Sequence, residues 1–205
     1  WDYDEQNRLQ SVKFLSKDGR LVLGKRYDYN KEGTHIIREF ALSENGLGKF
    51  DNFDVEGIEY SQDDDKGLPI LRIFINENKQ YKVCNDGYYA IRTWEDDKER
   101  VVKQLYYDFN GAPMSDKNGT YGVKVEYIDE HTTKTINLDA DGNTMEDNNG
   151  VAFTVTTNTP SSILITSYNQ NGEPHANDEW VYCYQEKLVL NDGYQEKLYV
   201  KNSKE

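Results

Sequence analysis

Three sets of side chains in this sequence have the types and spacing to do chemistry. The first is oxygen-rich. Asn137, Asp139 and Asp141 fall at alternate positions ahead of Gly142, as in a calcium loop, where oxygen ligands at positions 1, 3 and 5 precede a glycine at 6. The twelfth position is Asn148, which lacks the bidentate carboxylate that such a loop requires. A turn is therefore the first reading of this stretch, and calcium the weaker one. The second set is aromatic. Tyr88, Tyr89, Trp94, Tyr106, Tyr107 and Tyr127 recur at related places along the chain. If one strand face is exposed, these rings form a ladder suited to the apolar faces of sugars or to an extended peptide. If it is not, they are the core, joining neighbours through cross-strand pairs. They are the ligand-binding candidates, with that alternative open.

The third set is the carboxylates, 37 Asp and Glu in all. Glycoside hydrolysis needs two of them a few ångströms apart, and the sequence singles out no pair. His35, His131 and His175 lie in or beside expected turns. They are too sparse to make a zinc site with Cys84 or Cys183. No Gly-x-Ser-x-Gly elbow, phosphate loop or Cys–His pairing at catalytic spacing is present. The reading is a non-enzyme without a cofactor. A glycoside-active enzyme built on a β-scaffold, using an Asp/Glu pair, is the alternative.

The elements that position these groups follow from a repeated phrase. Tyr106-Tyr107-Asp108-Phe109-Asn110-Gly111 has relatives closing at Gly19, Gly46, Gly142 and Gly172, and a worn copy closing at Lys79. The closing positions lie roughly 30 residues apart, a spacing that marks a repeat architecture. An Asp-x-Asn-Gly stretch is turn chemistry, with glycine at positive φ.

Between the turns, the patterns are those of strands. Val123, Val125 and Tyr127 alternate with Lys124 and Glu126, the period-two signal of a half-buried strand. Residues 3–14 and 29–40 align as two hairpins with matched aromatic and turn positions. Gly57 to Tyr60 and Leu68 to Phe74 flank a polar turn, with Pro69 expected at a strand start or an edge. Asn191-Asp192-Gly193 between apolar runs predicts a hairpin turn. No apolar stripe at helical spacing runs over three turns. The fold class predicted is all-β, an elongated array of about six antiparallel β-hairpin repeats in a single-layer or spiralling sheet. The repeats fall near residues 1–19, 20–46, 47–79, 80–111, 112–142 and 143–172. Residues 173–205 form the cap that ends such an array, so the chain reads as one domain.

Composition sets the limits. Hydrophobic residues make up 36% and aromatics 13%, with 16 Tyr among them. That suits a thin apolar layer in which Tyr rings pack while their hydroxyls stay near water. Against 37 acids stand 24 Lys and Arg, a net charge of −13. Such a surface repels phosphate backbones and anionic membranes, so neither nucleic acid nor a membrane surface is an expected partner. No apolar run is long enough to cross a bilayer. Cys84 and Cys183 are either a disulfide or two thiols. The first residue is Trp1 rather than Met, which fits a fragment of a larger or processed protein.

Two family resemblances rest on short motifs. Tyr3-Asp4 with Asn7-Arg8-Leu9, Tyr29-Asn30 with Gly33, and Tyr107-Asp108 with Gly111 resemble the Tyr-Asp-x-x-Gly-Arg-Leu motif of YD-type (RHS-like) repeats in bacterial surface and secreted proteins. Tyr106-Tyr107 followed by Gly111-Ala112-Pro113-Met114 is similar to a phrase of the cell-wall-binding hairpin repeats related to choline-binding modules. Both resemblances imply stacked β-hairpins at a bacterial cell surface or outside the cell. They also imply a role in binding a glycan, cell-wall polymer or protein, or as a spacer.

Overall fold

A computed structural model of the chain describes residues 1–44, 46–50, 52–61, 69–160, 162–176, 184–190 and 193–199. The fold is all-β. Its strands pair antiparallel in hairpin order in an open sheet that does not close into a barrel. The expected turn at residues 61–67, apart from Ser61, and Trp180, Cys183, Asn191, Asp192 and the last five residues lie outside the described residues.

The contacts divide the chain into two compact units. One comprises residues 1–93 and 106–112, the other residues 94–105 and 113–205. In the first, β1 (Asp2–Tyr3), β2 (Leu9–Leu15), β3 (Leu21–Tyr29), β4 (Ile36–Ser43), β6 (Gly57–Tyr60), β7 (Arg72–Ile75) and the start of β8 (Ala90–Glu95) pair neighbour to neighbour. A short β5 (Gly46–Leu47) folds back on β4. In the second, most of β9 (Val101–Tyr107) is followed by β10 (Gly122–Tyr127), β11 (Thr132–Leu138), β12 (Phe153–Asn158), β13 (Ser162–Tyr168), β14 (Tyr184–Leu190) and β15 (Gly193–Tyr199), again paired in order. The strands expected at residues 57–60 and 123–127 form there. Pro69 precedes β7, where its missing N–H costs no ladder bond.

One five-residue turn recurs between strands. At Asp108, the N–H of Gly111 donates to the Asp108 carbonyl at 3.2 Å, and the Asp108 N–H donates to the Ala112 carbonyl at 2.8 Å. The Asp108 side-chain oxygen accepts the N–H groups of Asn110 and Ala112 at 2.8 and 2.9 Å. The fourth residue must be left-handed, and Gly111 sits at φ 85°. The same backbone pattern begins at Asp4, Ser16, Asn76, Cys84, Asp96, Asp116, Asp139, Asp147 and Asn169. Where glycine is missing, Asn7, Lys79 and Glu99 take φ values near 60° instead. The worn copy at Asn76 is thus a full turn.

Two details differ from the sequence reading. Three of the closing turns come in pairs. The first, at Asn76, Asp108 or Asp139, is followed by a second at Cys84, Asp116 or Asp147. Isolated bridges, Ile75 with Tyr81 and Leu138 with Thr144, fill the gap between them. The phrase closing at Gly46 is not one of the series, because Gly46 already lies in β5 opposite Ser43.

Among the described residues, the apolar layer is thickest in the first unit. Phe40, Val55, Phe74, Ile75 and Ala90 are fully buried, and Gly57 is required because a Cβ there would lie 2.8 Å from the Phe40 ring. Phe53 packs on Phe74 at 4.6 Å between ring centroids. Cys84 is a buried free thiol. In the second unit a smaller set, Ile136, Leu138, Val151 and Ala152, is buried. There the turns at Asp116 and Asp147 touch each other. The Asn148 N–H donates to the Asn118 carbonyl at 2.8 Å, and the His175 ring meets the Asn149 carbonyl at 3.0 Å.

Two predictions follow from the turn. A Cβ on Gly111 meets nothing within 4 Å, so Gly111→Ala isolates the left-handed cost and should lower stability by about 1–2 kcal/mol. Gly111→Asn should cost less than half as much, as Asn7 tolerates this region, when both are measured by urea denaturation. Equal losses would discard the conformational explanation. The second concerns acid. The Arg100 side chain and then its N–H hold the Asp96 carboxyl down at about 2, and hydrogen bonds in their own turns also lower Asp4 and Asp139. Depressed carboxylates contribute stability that is complete above their unfolded value, ~3.9. That contribution is lost as pH falls through the folded value. The urea midpoint should therefore be flat above about pH 5 and drop towards pH 2. Asp96→Asn, which keeps a turn-forming amide, should flatten that drop.

Candidate functional site

The structure does not bring the six aromatic candidates together. Tyr88 and Tyr106 are buried in the first unit and stack on each other at 4.2 Å with rings 6° from parallel. The other face of Tyr88 meets Phe74 at 5.9 Å. Tyr89 is half-buried, with its ring edge-on to Phe109 at 5.4 Å. Tyr107 packs against Leu71, Ile73 and Ala90 and carries the Arg92 guanidinium 5.8 Å from its ring centroid. In the second unit, Lys103 lies 5.3 Å over Trp94 and Arg100 4.1 Å over Tyr127, whose hydroxyl donates to the Val101 carbonyl at 3.1 Å. The half-buried rings of Trp94, Tyr107 and Tyr127 are each covered on one side by a cation of the chain itself, an arrangement worth about 0.5–1 kcal/mol at an exposed site.

The oxygen-rich stretch is one of the turns. The Asp139 Oδ1 accepts the N–H groups of Asp141 and Asn143 at 3.0 and 2.8 Å, and its Oδ2 accepts the Asn143 amide at 3.3 Å. The Asn137 side chain donates to the Val151 carbonyl at 2.8 Å. Backbone and amide donors thus face the Asp139 oxygens. Among the described residues no group of three His, Cys, Asp or Glu is placed to hold a metal. His35 and His131 are exposed, and His175 is half-buried.

A concavity that the sequence reading did not single out lies in the first unit, with a volume of about 270 Å³. Tyr27, Glu39 and Tyr60 form its polar wall, while Ile36 and Ile70 form an apolar rim beside His35 and Ser61. Register builds it. Tyr27 on β3 is opposite Glu39 on β4, and Glu39 is opposite Ile58 on β6, so Tyr60 follows on the same face. Glu39 is only 9% exposed and accepts a hydrogen bond from Lys25 at 3.1 Å. The Tyr60 phenol is held neutral well above the ordinary tyrosine range, first by burial and then by the charge of Glu39 and a hydrogen bond to it. The sequence signal was present, a glutamate inside the apolar run Ile36-Ile37-Arg38-Glu39-Phe40-Ala41. It could be read only once β3 and β6 were known to flank it.

Two tyrosine rings, an apolar rim and one buried carboxylate suit a ligand that is apolar on its faces and hydroxylated at its edge. A cationic ligand is less well served, since Lys25 already occupies Glu39. No protein-family model matches this chain, and no curated protein sequence matches it.

The tyrosines predict an alkaline limit. Burial raises both Tyr60 and Tyr88. A raised phenol contributes stability that is fully present below its unfolded value, ~10, and is lost as pH rises through its folded value. Stability should therefore fall above about pH 10, and phenolate absorbance should develop in step with unfolding for these two rings. Tyr60→Phe should reduce the steepness of that fall. An unchanged profile would overturn the assignment.

Proposed function

We propose that this chain is a non-catalytic repeat module of a bacterial surface or secreted protein, and that it binds glycan in the groove formed by Tyr27, Glu39 and Tyr60. The groove carries the reading. The rings of Tyr27 and Tyr60 offer faces on which the C–H side of a pyranose stacks, and Glu39 offers an acceptor for its hydroxyls. Burial strengthens that hydrogen bond, because a charged acceptor in a low-dielectric wall binds more strongly than one in water. The bacterial surface setting rests on the resemblance to YD-type and cell-wall-binding hairpin repeats.

The groove also bears on the glycosidase alternative. Hydrolysis needs a second carboxylate across the scissile bond, and among the described residues that line the cavity Glu39 is the one acid. Its engagement with Lys25 and Tyr60 suits a fixed acceptor better than a proton donor.

The test is a glycan array followed by calorimetry on the best ligand. Tyr60→Ala should weaken binding about two- to tenfold, the loss of one ring contact of about 0.5–1.5 kcal/mol, and Glu39→Gln should weaken it further. No sugar should be released from any bound polysaccharide. Hydrolysis that disappears on changing one Asp or Glu would replace this reading with the enzymatic one.

A further inference from the structure

The second unit carries a feature at odds with the charge of the chain. Lys124 on β10 is directly opposite Lys103 on β9, and like charges in that position repel. Lys124 is also opposite Ile136 on β11, while Glu126 is opposite Lys134. Lys134 is thus diagonal to Lys124 on the same face. Three lysines on three adjacent strands form a band about 10 Å across, two strand spacings, in a chain of net charge −13.

The heads are held in place. Lys103 rests 5.3 Å over Trp94 and Lys134 4.0 Å over Phe153, which is itself backed by Tyr168 at 4.8 Å. Lys124 is half exposed and paired with Glu126 at 2.8 Å. The other neighbours are Thr132, Val155 and Thr157, which share this face, and the Asp139 turn, whose Gly142 lies against the Lys103 head. The Asp139 oxygens there accept hydrogen bonds within their own turn. Among the described residues Glu126 is the one carboxylate paired with a lysine of the band.

We propose that this band binds an anionic polysaccharide, with the carboxylates of successive uronic acid residues meeting Lys103, Lys124 and Lys134. Cation–π contacts fix two of the three heads in advance, so little side-chain freedom is lost when the polymer arrives. A bound carboxylate between Lys103 and Lys124 turns their repulsion into two attractions. Double-stranded DNA is a poorer fit, with a charge every 1.7 Å or so along its axis facing a protein of the same overall sign. The band shares no residue with the Tyr27–Glu39–Tyr60 groove, so the two sites succeed or fail separately.

The probe is polygalacturonate at low salt, followed by affinity electrophoresis, with neutral dextran and a DNA duplex run beside it. The unaltered chain should be retarded by polygalacturonate alone, and the retardation should fade as salt screens the contacts. Lys103→Glu, Lys124→Glu and Lys134→Glu combined should lower affinity on the order of a hundredfold, with circular dichroism reporting whether the sheet survives. Should the triple variant unfold, Lys124→Gln alone decides, because its head is exposed and supports no ring contact. That variant should weaken binding several-fold. Equal retardation by dextran or DNA, no retardation by polygalacturonate, or unchanged affinity in a folded variant would each overturn the proposal.

Discussion

A side-chain oxygen that grips two backbone N–H groups of its own turn is the interaction on which this chain depends. The strands are short and the apolar layer thin, so long-range burial alone is a weak guide to where the chain reverses. Each turn supplies the missing instruction locally. The carboxylate or amide at Asp4, Asn76, Asp96, Asp108, Asp116, Asp139 and Asp147 satisfies N–H groups two and four residues on, which would otherwise be orphaned at the end of a strand. The left-handed fourth residue then returns the chain alongside itself. Because the Asp147 turn also touches the Asp116 turn, Asn148 on Asn118, and meets the His175 ring at Asn149, the device that reverses the chain also aligns its repeats.

That use of oxygen and nitrogen determines which chemistry is left over. An aspartate oxygen that accepts two N–H groups closes a turn, and the calcium-like spacing at Asn137, Asp139 and Asp141 contains one. The rings are committed in the same way. Those with a buried face stack on one another, as Tyr88 does on Tyr106, and those nearer solvent lie under Arg92, Lys103 or Arg100. What remains open is limited to places where neighbouring strands bring unlike groups together by register. The Tyr27–Glu39–Tyr60 groove is one, and the Lys103–Lys124–Lys134 band is another.

Much of the strand order was legible because period-two alternation and glycine-closed turns are local signals. β10 and β11 are readable from Val123 to Leu138 without any partner. The three second turns are carried by equally local residues, Asp86-Gly87, Asn118-Gly119 and Asn149-Gly150, which lie outside the longer phrase. The copy at Asn76 shows the opposite limit. Lys79 occupies a left-handed position that its side chain does not advertise, and it holds because the Asn76 oxygen and carbonyl fix the residues on either side. The sites were less legible than the strands for a different reason. Each is made by cross-strand register, and no single segment contains it.

Register also explains why neighbouring residues of the same type do different work. Tyr106 and Tyr107 are consecutive, so they point to opposite faces of β9. One is buried against Tyr88, and the other lies over Leu71, Ile73 and Ala90 beneath Arg92. Glu39 lies between Arg38, paired with Glu59 on one face, and Phe40, fully buried under Arg26. Its own parity turns it towards Tyr27 and Tyr60. A slip of one residue in β4 would carry Glu39 to the Phe40 side and bury a carboxylate without Lys25. Such a slip is opposed by the cost of an unpaired buried charge, so the carboxylate that suits the groove to a hydroxylated ligand also helps to hold β3, β4 and β6 in the alignment that forms the groove.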